Sequence, residues 1–185
     1  MPKNLPGTAI PYTNTNIAAF SHIAPLLEAT GGLSLSQVCS LTGNPPSTIQ
    51  NWVKRGWIPN TTDKKYDESC VGSILIINAL RDSLTLEQIH KLMHYVNASG
   101  NNRSDRIISN GELYNYLCEI IVSINIKMEL NDSFISEQIE KTVKNYTEIK
   151  PDSKKRLARA LNVMVYAYIA SDMKKHTDLV FNELF

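Results

Sequence analysis

The sequence contains no long apolar run. Of its 185 residues, 43% are hydrophobic and 20% are charged, which is ordinary for a globular protein. No stretch approaches the roughly 20 consecutive apolar residues that a membrane-spanning helix requires. The first 16 residues also lack the apolar centre of a secretory signal peptide. We therefore expect a cytoplasmic protein without membrane association.

Cysteine, metal-ligand patterns and catalytic motifs are scarce as well. The three cysteines, Cys39, Cys70 and Cys118, are widely spaced, which favours reduced, buried thiols over a disulfide framework. His90 and His94 have a spacing that suits zinc on a helix, but neither a third ligand nor a glutamate base stands between them. A serine nucleophile motif, a phosphate-binding Gly-rich loop and a recognisable carboxylate pair are missing. We expect no enzyme, no bound metal and no cofactor.

The most specific pattern that the sequence does contain lies in residues 33–59. Two short runs with helical periodicity flank the turn Gly43-Asn44-Pro45-Pro46. Ser34 can cap the first helix, Gly43 can end it in a left-handed conformation, and Pro46 can open the second. In the second helix Ile49, Trp52 and Val53 form the stripe expected to be buried.

The other side of that second helix is polar. Its outward residues are Ser47, Thr48, Gln50, Asn51, Lys54 and Arg55. Amides can read base edges in the major groove of DNA, and cations can bind phosphates. The segment therefore predicts a helix-turn-helix that contacts DNA.

The net charge of +1 conceals a local bias that agrees with this prediction. Between residues 33 and 66 the cations are Lys54, Arg55, Lys64 and Lys65, and the only anion is Asp63. Between residues 67 and 97 four anions face two cations. The positive charge is therefore concentrated where phosphate contacts would need it, although a solvated surface could show the same bias.

The residues that follow resemble one family of regulators. Arg55-Gly56-Trp57-Ile58-Pro59 is similar to the Arg-Gly-Leu-Ile-Pro sequence that ends the recognition helix in the MerR family. The stretch LRDSLTLEQI, residues 80–89, is similar to a joint between two later helices of that family, without its glycine. The resemblance covers residues 34–96 and implies a recognition helix over residues 46–55 and a wing over residues 57–66. It places Lys64, Lys65 and Tyr66 at basic and aromatic positions of the wing.

The whole chain also resembles a family of uncharacterised Gram-positive bacterial proteins with a MerR-like head and a domain of unknown function. The similar segments are TIQNWVKRGW and SDRIISNGELYNYLCEI. This second resemblance implies the same fold and no particular activity.

Helical periodicity continues through the rest of the chain. We expect an all-α fold with an N-terminal arm and helix (residues 1–32, the helix over 17–30), a winged helix-turn-helix head (33–97) and a C-terminal helical module (103–185). A turn-rich break at residues 97–102 separates the last two. In the module, Ser109 and Glu112 form a capping-box pattern. Two apolar stripes follow, made by Leu113, Leu117, Ile120, Ile121, Ile124 and Met128, and by Leu157, Leu161, Met164, Val165, Tyr168 and Ile169.

The function predicted from these patterns is that of a sequence-specific transcriptional regulator that binds double-stranded DNA. The C-terminal stripes would form a homodimer, or the module would sense a small-molecule or protein effector. In one alternative the same winged helix serves an excisionase-like or protein-binding adaptor without promoter specificity. In another, the C-terminal bundle is an enzyme or a small-molecule binder and the head is auxiliary.

Overall fold

Helices provide the regular structure of the chain. The computed structural model describes residues 4–11, 20, 23–61, 63–97, 106–127 and 130–185. Within these residues there are two isolated β-bridges, Asn4 with Pro11 and Leu33 with Tyr66, and no strand. The helices of the described ranges are α1 (Ala24–Thr30), α2 (Leu35–Thr42), α3 (Pro46–Lys54), α4 (Glu68–Leu80), α5 (Leu86–Asn97), α6 (Asn110–Lys127), α7 (Asp132–Val143) and α8 (Ser153–Asn182). The predicted all-α class is confirmed.

Local capping signals set most of the helix starts. Ser34 forms a capping box with Gln37 at the start of α2, and Ser109 forms one with Glu112 at the start of α6. The Asp67 carboxylate accepts a hydrogen bond of 2.8 Å from the backbone N–H of Cys70, which caps α4. These side chains satisfy backbone donors that have no partner within the helix. The helix expected over residues 17–30 is observed as α1 from Ala24 to Thr30, and most of its expected first part, residues 17–23, lies outside the described residues.

Helix α4 lies at the centre of the fold. Its sequence is apolar on nearly every side, and ten of its thirteen residues are buried. It packs against α2, α5, α6 and α8. Gly72 permits a close approach of α4 to α6, because a Cβ atom there would lie 2.8 Å from the backbone of both Asn110 and Gly111 at the start of α6.

The two C-terminal apolar stripes face this same core. Leu113, Leu117 and Ile120 of α6 are fully buried, as are Leu157 and Leu161 of α8, while Met128 lies outside the described residues. Helices α6, α7 and α8 pack on one another, and α6 and α8 also pack on α4. The described residues of the two stripes are therefore buried or half-buried within one chain, which removes the reason given above for a homodimer. The domain boundary stays a prediction, since one core runs across it.

An irregular N-terminal arm, residues 4–11, ties three helices together. The Tyr114 hydroxyl donates to the Pro6 carbonyl at 2.6 Å, and the Asn78 amide donates to the Gly7 carbonyl at 2.9 Å. The backbone N–H of Ala9 donates to the Leu41 carbonyl at the end of α2. The arm thereby connects α2, α4 and α6. Of the helices described, none is both long and apolar enough to cross a membrane.

Candidate nucleic-acid interface

The turn between α2 and α3 is fixed by both local and distant contacts. Gly43 ends α2 with φ = 70°, the left-handed conformation that glycine adopts at little cost. Asn44 is buried, and its side-chain amide donates to the Asn78 carbonyl oxygen on α4 at 2.8 Å. Asn78 in turn donates to the Thr42 carbonyl at 3.0 Å. The turn is therefore anchored to the central helix, a contact that the sequence pattern did not reveal.

The inner face of α3 is apolar, as predicted. Ile49 is fully buried and Trp52 is 5% exposed, while Val53 is half-buried. The guanidinium of Arg81 lies 5.5 Å from the centre of the Trp52 ring, a distance at which a cation is attracted to an aromatic face. Arg81 thus adds an exposed cation next to α3, and sequence analysis had missed its role.

The outer face of α3 is available to a partner. Ser47, Gln50, Asn51, Lys54 and Arg55 are exposed, and Thr48 is half-buried. In the described parts of the chain, none of these six side chains makes a hydrogen bond or an ion pair. The predicted contact residues of α3 therefore share one solvated face.

Residues 57–61 and 63–66, which the structure describes, belong to a turn that returns the chain to the core. Asp63 and Lys64 have φ values of 51° and 59°, which reverses the chain direction. The backbones of Leu33 and Tyr66 then exchange hydrogen bonds of 2.9 and 2.8 Å. Apart from residue 62, which is not described, this segment contains no strand longer than that bridge, so the wing stays a prediction.

The three contact residues predicted for this turn differ in exposure. Lys64 is exposed and Lys65 is half-buried, with the Lys65 ammonium 3.5 Å from the Gly32 carbonyl. Tyr66 is 5% exposed, and burial raises the pKa of its hydroxyl. Lys64 and Lys65 can reach a ligand, whereas Tyr66 packs the turn onto the core.

In the described residues, side chains suited to binding a metal ion are not brought together. No three His, Cys, Asp or Glu side chains converge there. The His90 and His94 rings lie 5.6 Å apart, and His90 meets the edge of Trp57. Burial raises the pKa of the Cys70 and Cys118 thiols to about 12, so neither is poised to act as a thiolate nucleophile.

A cavity of about 600 Å³ lies away from α3, between α6 and α7. Its lining is mostly polar and is made by Ser123, Lys127, Ser133, Phe134, Glu137, Gln138 and Lys141. A small-molecule effector of the kind expected above would fit such a volume.

Comparison with known proteins adds one match. The profile of a domain of unknown function (DUF1836) matches residues 33–117, somewhat less than half of the chain. No curated protein and no solved structure matches the chain. The matched region contains α2 to α5 and the first part of α6, which agrees with the close packing of α4 against α6. The match does not bear on the resemblance to the MerR family.

Proposed function

We propose that the chain is a sequence-specific DNA-binding transcriptional regulator, with α3 in the major groove and the turn at residues 57–66 against the phosphate backbone. The observation that carries this proposal is the outer face of α3. There Gln50 and Asn51 are exposed side by side, with no hydrogen-bonding partner among the described residues. Asparagine and glutamine amides can bind the N6 and N7 edge of adenine with two hydrogen bonds.

The contacts that hold α3 on the core support this role. A helix that reads bases must be held in one orientation by the elements behind it. Trp52 and Ile49 fix the inner face, and the hydrogen bond from Asn44 to Asn78 fixes the preceding turn. The polar side chains are therefore presented from a rigid support.

Cations that could bind phosphates follow the proposed base-reading residues in the chain. Lys54 and Arg55 follow Gln50 and Asn51 at the end of α3, and Lys64 is exposed at the tip of the neighbouring turn. Lys65 can contribute with its ammonium group, and Ser47 and Thr48 can donate from the first turn of α3. Tyr66 is left out of the proposed contact set because it is buried.

Selection from a randomised duplex library with the full-length chain tests the proposal. The expected result is an enriched motif that the chain binds at least tenfold more tightly than a scrambled duplex of the same length and composition, by fluorescence anisotropy. Equal binding to both duplexes would favour the adaptor alternative. Absence of binding at low salt would rule out both uses of this surface on DNA.

A further inference from the structure

The cavity between α6 and α7 contains a buried amide without a partner. Gln138 on α7 is 8% exposed, and in the described chain its side chain makes no hydrogen bond. The amide still reaches solvent, because the fully enclosed, unpaired side-chain atoms of the described residues belong to Trp57, Arg156 and Ser171. Gln138 lines the cavity, so its donor and acceptor atoms open into that space. Buried polar groups normally have partners, and here the cavity is where a partner can bind.

Three charged side chains around the same cavity are also unpaired. Lys127 of α6, with Glu137 and Lys141 of α7, lines the cavity and is exposed, as are the other two. None of the three forms an ion pair with another residue that the structure describes. Glu137 and Lys141 have the same four-residue spacing as Glu87 and Lys91, which do pair at 2.7 Å. The two cations and one anion of the cavity therefore remain available to a ligand.

The two cations stand at opposite ends of the cavity. Helices α6 and α7 are joined by residues 128–131 and pack on each other, so they form an antiparallel helical hairpin. Lys127 therefore lies level with Ser133 in the first turn of α7. Lys141 follows Ser133 by eight residues, which corresponds to about 12 Å along the helix. The polar lining residues at the levels between these ends are Ser123, Glu137 and Gln138.

We propose that the cavity binds an extended organic diacid that also carries an amino group. A chain of six carbons separates its two carboxylates by about 6 Å, and an ammonium–carboxylate hydrogen bond adds about 2.8 Å at each end. The total is close to the spacing of Lys127 and Lys141 along the cavity. The amino group would donate to the Glu137 carboxylate, and the Gln138 amide would donate to a carboxylate oxygen.

The layout of the cavity disfavours other kinds of small ligand. Inorganic phosphate is too short to contact both ends at once. An apolar ligand would leave the charged groups unpaired, and Phe134 is the single aromatic side chain among the described lining residues. The volume of about 600 Å³ lies within the range of about 300–1,000 Å³ that ligand sites occupy. The inference concerns α6 and α7 only, so it stands whether or not α3 binds DNA.

A matched set of ligands tests the chemistry with the full-length chain. In isothermal titration calorimetry at constant ionic strength, L-2-aminoadipate should bind with a Kd below about 1 mM. Adipate, which lacks the amino group, should bind more weakly, and hexanoate, which also lacks the second acid, should bind at least about tenfold more weakly than L-2-aminoadipate. Equimolar inorganic phosphate should not displace L-2-aminoadipate. Absence of L-2-aminoadipate binding, equal affinity for any two of the three acids, or displacement by phosphate would overturn the proposal.

Variants of single lining residues test the location. Lys141→Gln should weaken L-2-aminoadipate binding at least about tenfold, whereas Lys144→Gln should bind like the parent, since Lys144 is exposed at the C-cap of α7 and does not line the cavity. Gln138→Met keeps the side-chain size and removes the unpaired amide. It should therefore weaken binding without lowering the melting temperature of the ligand-free chain. Unchanged binding in Lys141→Gln, an equal loss in Lys144→Gln, or a Gln138→Met variant that melts below the parent would contradict the proposed site.

Discussion

Helices α3 and α4 are consecutive in the chain, but they differ in how many of their residues are buried. Helix α4 buries ten of thirteen residues, whereas α3 buries two of nine. A helix apolar on all sides is stable only inside a core, and α4 fills that place. Helix α3 keeps one anchored face and leaves the rest to solvent. Helix α4 therefore forms part of the core, whereas α3 displays a polar face on the surface of the fold.

The composition of the α3 surface sharpens this contrast. Exposed helices elsewhere in the chain carry stabilising ion pairs at four-residue spacing, such as Glu87 with Lys91 in α5 at 2.7 Å and Lys174 with Asp178 in α8 at 2.6 Å. Helix α3 contains no acidic residue at all. Lys54 in the last turn of α3 and Arg55 at its C-cap therefore have no carboxylate on their own helix. We infer that the positive charge of this face suits an anionic partner.

The largest effect is expected where α3 is anchored. Trp52→Ala should lower the free energy of unfolding by about 3–5 kcal/mol, because it empties a large aromatic site and removes the surface beneath Arg81. Urea denaturation followed by circular dichroism measures it. Gln50→Ala is the control on the exposed face and should change stability by less than about 0.5 kcal/mol. If Trp52→Ala were as stable as the parent, the inner and outer faces of α3 would be wrongly assigned.

A second effect is expected where α4 meets α6. Gly72→Ala would normally favour a helix by about 1 kcal/mol, yet the added methyl group would lie 2.8 Å from the backbone of Asn110 and Gly111. Overpacking against backbone atoms should win, so we expect a net loss of about 1–3 kcal/mol. Thermal or urea unfolding gives the sign. A stabilised variant would mean that α4 and α6 are packed less closely than described.

The smallest effects are expected at single phosphate contacts. Lys64→Ala should weaken binding to the selected and the scrambled duplex alike, and it should reduce the slope of log K against log salt by about one unit. The exposed Lys155 on α8 offers a matched control, and Lys155→Ala should leave the slope unchanged. Anisotropy titrations at several salt concentrations measure both slopes. A loss confined to the selected duplex would make Lys64 a base contact instead.

The predictions from sequence were accurate where the signal is local. Helices α2 and α3 were predicted correctly from the capping residues Ser34 and Gly43 and from the spacing of Ile49 and Trp52, because caps and periodicity act within a few residues. The contacts of Asn44 with Asn78 and of Arg81 with Trp52 join separate elements, and a single sequence carries no pattern for such pairs. The N-terminal arm was predicted, but its contacts with α2, α4 and α6 were not, because residues 4–11 have no periodicity to show that Leu5 is buried.

The C-terminal helix shows a different limit. Its inner and outer faces share the same three- and four-residue spacing, so periodicity alone could not tell which stripe the chain would bury. The stripe chosen from the sequence as a dimer surface contains Leu157 and Leu161, both of which are fully buried. Only the packing of α8 on α4, α5, α6 and α7 shows which of its two faces is buried.

The most direct test of the central claim compares Gln50→Ala with the parent on two duplexes, the selected site and its scrambled version. If α3 reads bases, the variant loses about 1–3 kcal/mol on the selected site and almost nothing on the scrambled one. Unfolding measurements made alongside should show unchanged stability, since Gln50 is exposed. Equal losses on the two duplexes, or no loss on either, would contradict a base-reading role for this face.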